Sequence, residues 1–253
     1  MSTVPPDIRV FADLQALSEP AADWIAGELV DSVRTGGRAS FVLSGGSTPG
    51  PLYALLAQRF ADRVPWPRVH VFWSDERYVP HDHLLSNYRM AKNALIEHVG
   101  IPAGQVYPMP THFPEPQAAA REYETTISSY FAGLPAVFDV VLLGVGADGH
   151  VASVFKGSPA IASARIVEPV TAPAEPPSRL TLTLPIIAAA RRIGVLAAGP
   201  GKAPALAAAL GGGAPDLPAS VLARTATPVW WVDRGAWPGL SAVEGPGRQG
   251  APR

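Results

Sequence analysis

Cysteine is absent from the chain, and with it go disulfides, thiolate nucleophiles and cysteine-ligated zinc or iron–sulfur centres. Charge is scarce: 16% of residues are Asp, Glu, Lys or Arg against 47% hydrophobic, and the formal net charge is −1. Such a chain has no general basic field with which to hold nucleic acid or an anionic membrane, so neither is expected as a partner and any bound anion must meet a few placed groups. Long apolar runs are missing too. Ala136–Val145 is interrupted by Asp139 and is far too short to span a bilayer. The opening residues, MSTVPPDIRVFADL, have no basic segment leading into an apolar stretch and a small-residue cleavage site, which predicts a cytoplasmic protein.

What is present is core material with regular punctuation. The 28 prolines and 24 glycines fall mostly between periodic segments, as loop chemistry does. Short β-rich runs at Ile8–Phe11, Ala39–Leu43, Val69–Trp73, Phe138–Val145, Leu180–Leu184, Ile193–Ala198 and Pro228–Asp233 alternate with segments of helical period. Helices are predicted from Pro20 to Val33 with Gly36-Gly37 as the stop, from Thr48-Pro49 through Phe60, over Ser86–Val99, over Glu115–Leu134, briefly after Pro185, and over Lys202–Leu210. This alternation predicts a single α/β domain over residues 7–238, Rossmann-like, with a mostly parallel sheet and helices on both faces. Residues 1–6 and 239–253 read as flexible tails. The sequence sets no oligomeric state; a monomer or weak homodimer is expected.

Open α/β sheets bind ligands beyond the carboxyl ends of their strands. Four polar or glycine-rich segments follow predicted strands: LSGGSTP at 43–49, SDERYVP at 74–80, GVGADGH at 144–150 and GPGKAPAL at 199–206. All four are predicted to meet on one rim. In Ser44-Gly45-Gly46-Ser47-Thr48, two glycines allow close backbone approach, hydroxyls add donors, and the helix that follows turns free N–H groups outward, which suits a phosphate. An ordinary strand-to-helix turn reads the same way locally. Arg77 offers a fork for phosphate or carboxylate oxygens, or a surface ion pair with Asp75 or Glu76. Lys202 stands near a helix N-terminus, where a cation is misplaced unless an anion joins it. His150, at the mouth of the best strand, suits a general base near neutral pH, with Asp148 able to orient the ring or cap the loop.

Other motifs carry less. LAAGPGKAP lacks the first P-loop glycine, and Ala203 replaces the required Ser or Thr. Ser47 does not lie in G-x-S-x-G, and GVGADG runs into His150 rather than into a dinucleotide turn. His81 and His83 form an H-x-H with no clustered carboxylate or third histidine, so no metal site is expected.

Taken together and in order, LSGGSTP, FWSDERYVP, SNYRMA, LLGVGADGHVASVF, LTLPII and GKAPAL make the chain resemble the 6-phosphogluconolactonase family, from about Phe11 to Val232. That family lies within a wider group that includes glucosamine-6-phosphate deaminases. The resemblance implies a carboxylic ester hydrolase of the oxidative pentose phosphate pathway that needs no cofactor and converts 6-phospho-D-glucono-1,5-lactone to 6-phospho-D-gluconate. It places the active-site histidine on His150, the acidic-arginine loop on Asp75 and Arg77, with Asp75 expected to position His150 or Arg77 in catalysis, phosphate contacts on Ser44, Gly45, Gly46, Ser47, Thr48 and Lys202, and Asn87 in the same pocket. Two departures stand beside the site: Val151 where relatives often have threonine, and Lys156 where proline is usual. A deaminase needs a glutamate shortly after the histidine, whereas Ala152–Gly157 holds no carboxylate. A non-catalytic sugar-phosphate sensor is the alternative outside enzymes; it could dispense with His150, which this chain retains.

Overall fold

The computed structural model describes residues 5–237. The tail predicted over 239–253, and most of that over 1–6, lies outside the described residues. Six strands form a wholly parallel sheet: β1 (Asp7–Phe11), β2 (Ala39–Leu43), β3 (Val69–Trp73), β5 (Val140–Gly144), β8 (Arg192–Ala197) and β9 (Val229–Asp233), in the order β1-β9-β8-β5-β2-β3. All five residues of β2 are buried. Because neighbouring side chains on a strand point to opposite faces, that unbroken burial means both faces are covered.

The helices are α1 (Leu14–Gly36), α2 (Gly50–Arg59), α3 (Asn87–Ala94), α4 (Pro116–Tyr130), α5 (Leu184–Ala188), α6 (Ala203–Leu210) and α7 (Pro218–Thr225). Among the described residues none is long and apolar enough to cross a membrane. The first helix starts at Leu14 rather than at Pro20, because the Asp13 carboxylate caps it by accepting from Ala16 N–H at 2.8 Å, and the proline is carried inside. It ends where predicted, with Gly37 left-handed at φ 75°. The segment after Ser86 is shorter than its pattern suggests: α3 stops at Ala94, and Ile96–His98 is a separate 3₁₀ turn. Likewise α4 stops at Tyr130, and the chain turns through Ala132 and Gly133, both at positive φ.

A second sheet corrects the sequence-based picture. The alternating segment read at Leu180–Leu184 does not join the parallel sheet. It is β7 (Ser178–Leu182), the centre of an antiparallel trio with β4 (Asp75–Arg77) and β6 (Val167–Thr171), in the order β4-β7-β6. Neither flanking strand is legible from periodicity. β4 is three polar residues, and β6 contains Pro169, which an edge strand tolerates because it need not donate to a further neighbour.

The main sheet sets the position of the site. From β2 the chain moves outward to β3 and then returns to the other side of β2 as β5, so the strand order reverses between β2 and β5. These two strands are in register only at Phe41–Val140 and Val42–Val141, whereas β5 and β8 stay paired to Gly144–Leu196. At the amino end they are tied by Asp139, whose carboxylate accepts from Ser40 N–H at 2.8 Å and Ser40 Oγ at 2.7 Å. Pinned at one end and parting at the other, they open a crevice at their carboxyl ends, where such folds place ligands.

Candidate active site

The crevice is a cleft of about 230 Å³ whose lining includes Ser44, Gly45, Gly46, Ser47, Thr48, Asp75, Arg77, Asn87, His150 and Lys202. These are the ten residues nominated from the sequence. Larger hollows exist, such as one of about 580 Å³ along α4 near Arg121 and Glu124, but no strand-end loops converge there.

The Ser44 turn is held from below by Tyr53 of α2. Ser44 N–H donates to the Tyr53 hydroxyl at 2.9 Å, and that hydroxyl donates to the Ser44 carbonyl at the same distance. Burial, with the Asp75 charge adding to it, keeps this phenol far above its usual range, so it stays a donor. Gly45 is required by close approach, since a Cβ there would lie 1.8 Å from Asn87 Oδ1. Asn87 opens α3, is 1% exposed, and donates Nδ2 to the Asp75 carbonyl at 2.9 Å. Its Oδ1 is buried with no hydrogen-bond partner among the described residues.

After β5 the chain doubles back tightly: Gly146 N–H donates to the His150 carbonyl at 2.9 Å and Gly149 N–H to the Gly146 carbonyl at 3.1 Å. This brings His150 Nδ1 to 2.5 Å from Asp148 Oδ1. With Nδ1 engaged by the carboxylate, Nε2 is the nitrogen left for chemistry. Burial acts to raise the Asp148 carboxyl, but the His150 charge and the hydrogen bonds from its ring and backbone outweigh it and hold the group below its usual range. Asp75, expected to position His150 or Arg77, instead faces other partners. Its Oδ2 accepts from Ser153 Oγ at 2.6 Å and its Oδ1 from Ser74 Oγ at 3.2 Å, all buried. The aspartate in contact with the imidazole is therefore the one two residues before it in the chain.

The small sheet brings in a residue that sequence reading missed. Arg179 on β7 lies directly across from Arg77 on β4 and lines the same cleft. Its guanidinium is destabilised first by burial and then by the Arg77 charge, so it sits below its usual range. Arg77 is fixed by one side-chain bond from Nη1 to the Leu85 carbonyl at 2.7 Å, while its Nε is buried without a partner among the described residues. Like charges opposite one another on paired strands oppose stability, and a shared anion reverses the sign. Lys202 stands in the turn before α6, whose geometry is set by Asp233 at the end of β9. That buried carboxylate accepts from Gly199 N–H at 3.0 and 2.9 Å and from Ala236 N–H at 2.7 Å. Arg179 and Asp233 carry no local signal because the cleft elements they meet, Arg77 and Gly199, are more than thirty residues distant in the chain.

The two loop histidines go separate ways: His81 Nε2 contacts the Met109 carbonyl at 2.8 Å, and His83 Nδ1 accepts from Leu85 N–H at 3.1 Å. Among the described residues no group of three or more His, Asp or Glu is placed to hold a metal ion.

At the level of class, this is a Rossmann-like α/β protein whose strand-end cleft brings Arg77, Arg179 and Lys202 together with an imidazole bonded to a carboxylate. Comparison with known proteins gives the family. A model described as "Glucosamine-6-phosphate isomerases/6-phosphogluconolactonase" matches residues 12–231, and the chain belongs to that family. It is 41% identical over 238 residues to a 6-phosphogluconolactonase of Mycobacterium tuberculosis, covering 90% of this chain and 96% of the relative. With one from Synechocystis it shares 40% over 205 residues, covering 79% and 83%. The solved structure of 6-phosphogluconolactonase from Trypanosoma cruzi superposes with a TM-score of 0.82 at 31% identity, covering 96% of this chain and 99% of that one.

Proposed function

We propose that this protein hydrolyses 6-phospho-D-glucono-1,5-lactone to 6-phospho-D-gluconate, with His150 as general base. The reading is carried by one juxtaposition: an imidazole whose Nδ1 is held by Asp148 lines the same small cleft as Arg77, Arg179 and Lys202. His150 Nε2 takes a proton from water as its oxygen attacks C1 of the lactone. The carbonyl oxygen becomes an oxyanion, to which Arg77 supplies a donor. Collapse of the tetrahedral species breaks the bond from C1 to the ring oxygen, and the imidazolium returns the proton to that oxygen. Lys202, Arg179 and the Ser44–Thr48 turn grip the distant phosphate and fix the ring against the attacking water. Asn87 shapes the pocket around the sugar.

A stopped assay of lactone hydrolysis with the spontaneous rate subtracted tests the reading, with glucosamine 6-phosphate as the rival substrate. Hydrolysis of the lactone without deamination of the amino sugar is expected, because Ala152–Gly157 supplies no carboxylate for ring opening and isomerisation. Deamination without lactone hydrolysis overturns it. A second expectation concerns the phosphate grip. Lys202→Ala and Arg179→Ala should each mainly raise KM, since contacts to a remote group made equally in ground and transition states act on binding. Unchanged affinity of both variants for 6-phosphogluconate removes the assigned grip.

A further inference from the structure

Glu76 belongs to none of the roles above and is absent from the cleft lining, yet it is 1% exposed. A carboxylate so deeply buried is costly unless its oxygens are fully engaged. Here they are. Oε1 accepts from Arg77 N–H at 2.8 Å and from Asn87 N–H at 2.7 Å. Oε2 accepts from Tyr88 N–H at 2.8 Å and from Ser86 Oγ at 3.0 Å. The first turn of α3 contains no acidic residue, and Glu76 supplies the missing negative charge from a different element, capping free N–H groups at that helix start. Burial raises its carboxyl above the ordinary range, while the amides of Tyr88, Asn87 and Arg77 act against that rise.

The pleat of β4 explains the geometry. Asp75 and Arg77 point to the cleft and Glu76, between them, points to the other face, toward α3. One oxygen thus ties together the backbones of two cleft residues ten positions apart, Arg77 and Asn87. Both residues line the cleft. A residue that lines a cleft serves a ligand only if its position is fixed.

We propose that Glu76 is a positioning residue for the reaction: its buried carboxylate locks the backbones of Arg77 and Asn87 together, so that these two cleft-lining residues are held at fixed places around the substrate. This rests on the lactonase reading above. E76Q keeps the shape but turns one acceptor oxygen into an NH₂ facing an N–H donor. In folded protein it should lower kcat/KM by about tenfold to a hundredfold, the scale of a displacement near 1 Å at a reacting centre.

The test is a pair of double-mutant cycles, E76Q with Asn87→Ala and E76Q with Arg77→Ala, read on kcat and KM for the lactone and on 6-phosphogluconate binding by calorimetry. If Glu76 acts through these residues, its substitution costs at least threefold less in each background than in the wild type. A purely structural role lowers Tm and the folded fraction but leaves kcat and KM per folded molecule unchanged; that result, or full multiplicative effects in both cycles, overturns the proposal. Should E76Q not fold, Ser86→Ala, which removes one of the four donors, takes its place with an expected effect of about two- to fivefold. A wild type that binds 6-phosphogluconate but does not hydrolyse the lactone sinks the lactonase reading alone, and the cycles are then judged on binding. A folded wild type that binds neither lactone nor 6-phosphogluconate overturns both.

Discussion

Replacing His150 with alanine is expected to lower kcat by about 10²–10⁴-fold while the protein remains folded. That corresponds to about 2.7–5.4 kcal/mol of transition-state stabilisation. Folding should survive because the side chain is 32% exposed and its recorded contacts are local: the Asp148 carboxylate and the Phe155 ring at 4.8 Å between centroids. His150→Asn keeps a polar group near Asp148 but has no nitrogen able to take a proton at neutral pH, so it should be as inactive as alanine. Asp148→Asn should give a smaller loss, because the ring stays but the charge that fixes its tautomer is gone. The Asp148 carboxyl is held below its usual range, so its stabilising contribution is present above the unfolded value and disappears only as pH falls through the lowered folded value. Loss of activity between neutral and mildly acid pH therefore should not come from neutralising Asp148, and the Asp148→Asn variant should keep an acid limb in its rate profile. Turnover close to wild type in folded His150→Ala removes the general-base role.

The contrast between legible and illegible residues has a physical cause. Ser44–Thr48, His150 and Lys202 could be nominated because each sits in a loop immediately after an apolar strand, where local pattern and global geometry agree. Arg179 could not. Its place in the cleft depends on pairing with Arg77 across about a hundred residues of chain, through strands too short or too polar to show a period. Glu76 reads locally as an ion-pair partner for the next residue, but the alternation of β4 sends the two side chains to opposite faces and makes the carboxylate a helix cap instead. The same limit applies to Asp75, which sequence proximity links to Arg77 and folding links to Ser153. Side-chain identity and loop position are local information. Which carboxylate holds which donor is settled by tertiary contacts.

That division gives a sharp expectation for Gly146. Its φ is not left-handed, so nothing in backbone freedom demands glycine; the requirement is room. A Cβ at this position would lie 2.0 Å from His150 Nδ1 and 2.4 Å from Asp148 Oδ1, far inside van der Waals contact. Gly146→Ala must therefore push the imidazole and its carboxylate away from their present positions. A shift of about 1 Å in a catalytic base costs on the order of 10²-fold in kcat, and the substitution should reach that loss without replacing any ionisable group. Gly144, two residues earlier on the same strand end, provides the comparison. A Cβ there meets only Ser44 Oγ, at 4.0 Å, which is ordinary contact. Gly144→Ala should then cost far less than Gly146→Ala when both are compared at equal folded concentration. If the two variants lose activity equally, the Nδ1–Asp148 pair is not what Gly146 protects. If Gly146→Ala turns over at the wild-type rate, the observed placement of His150 cannot be the one used in the reaction.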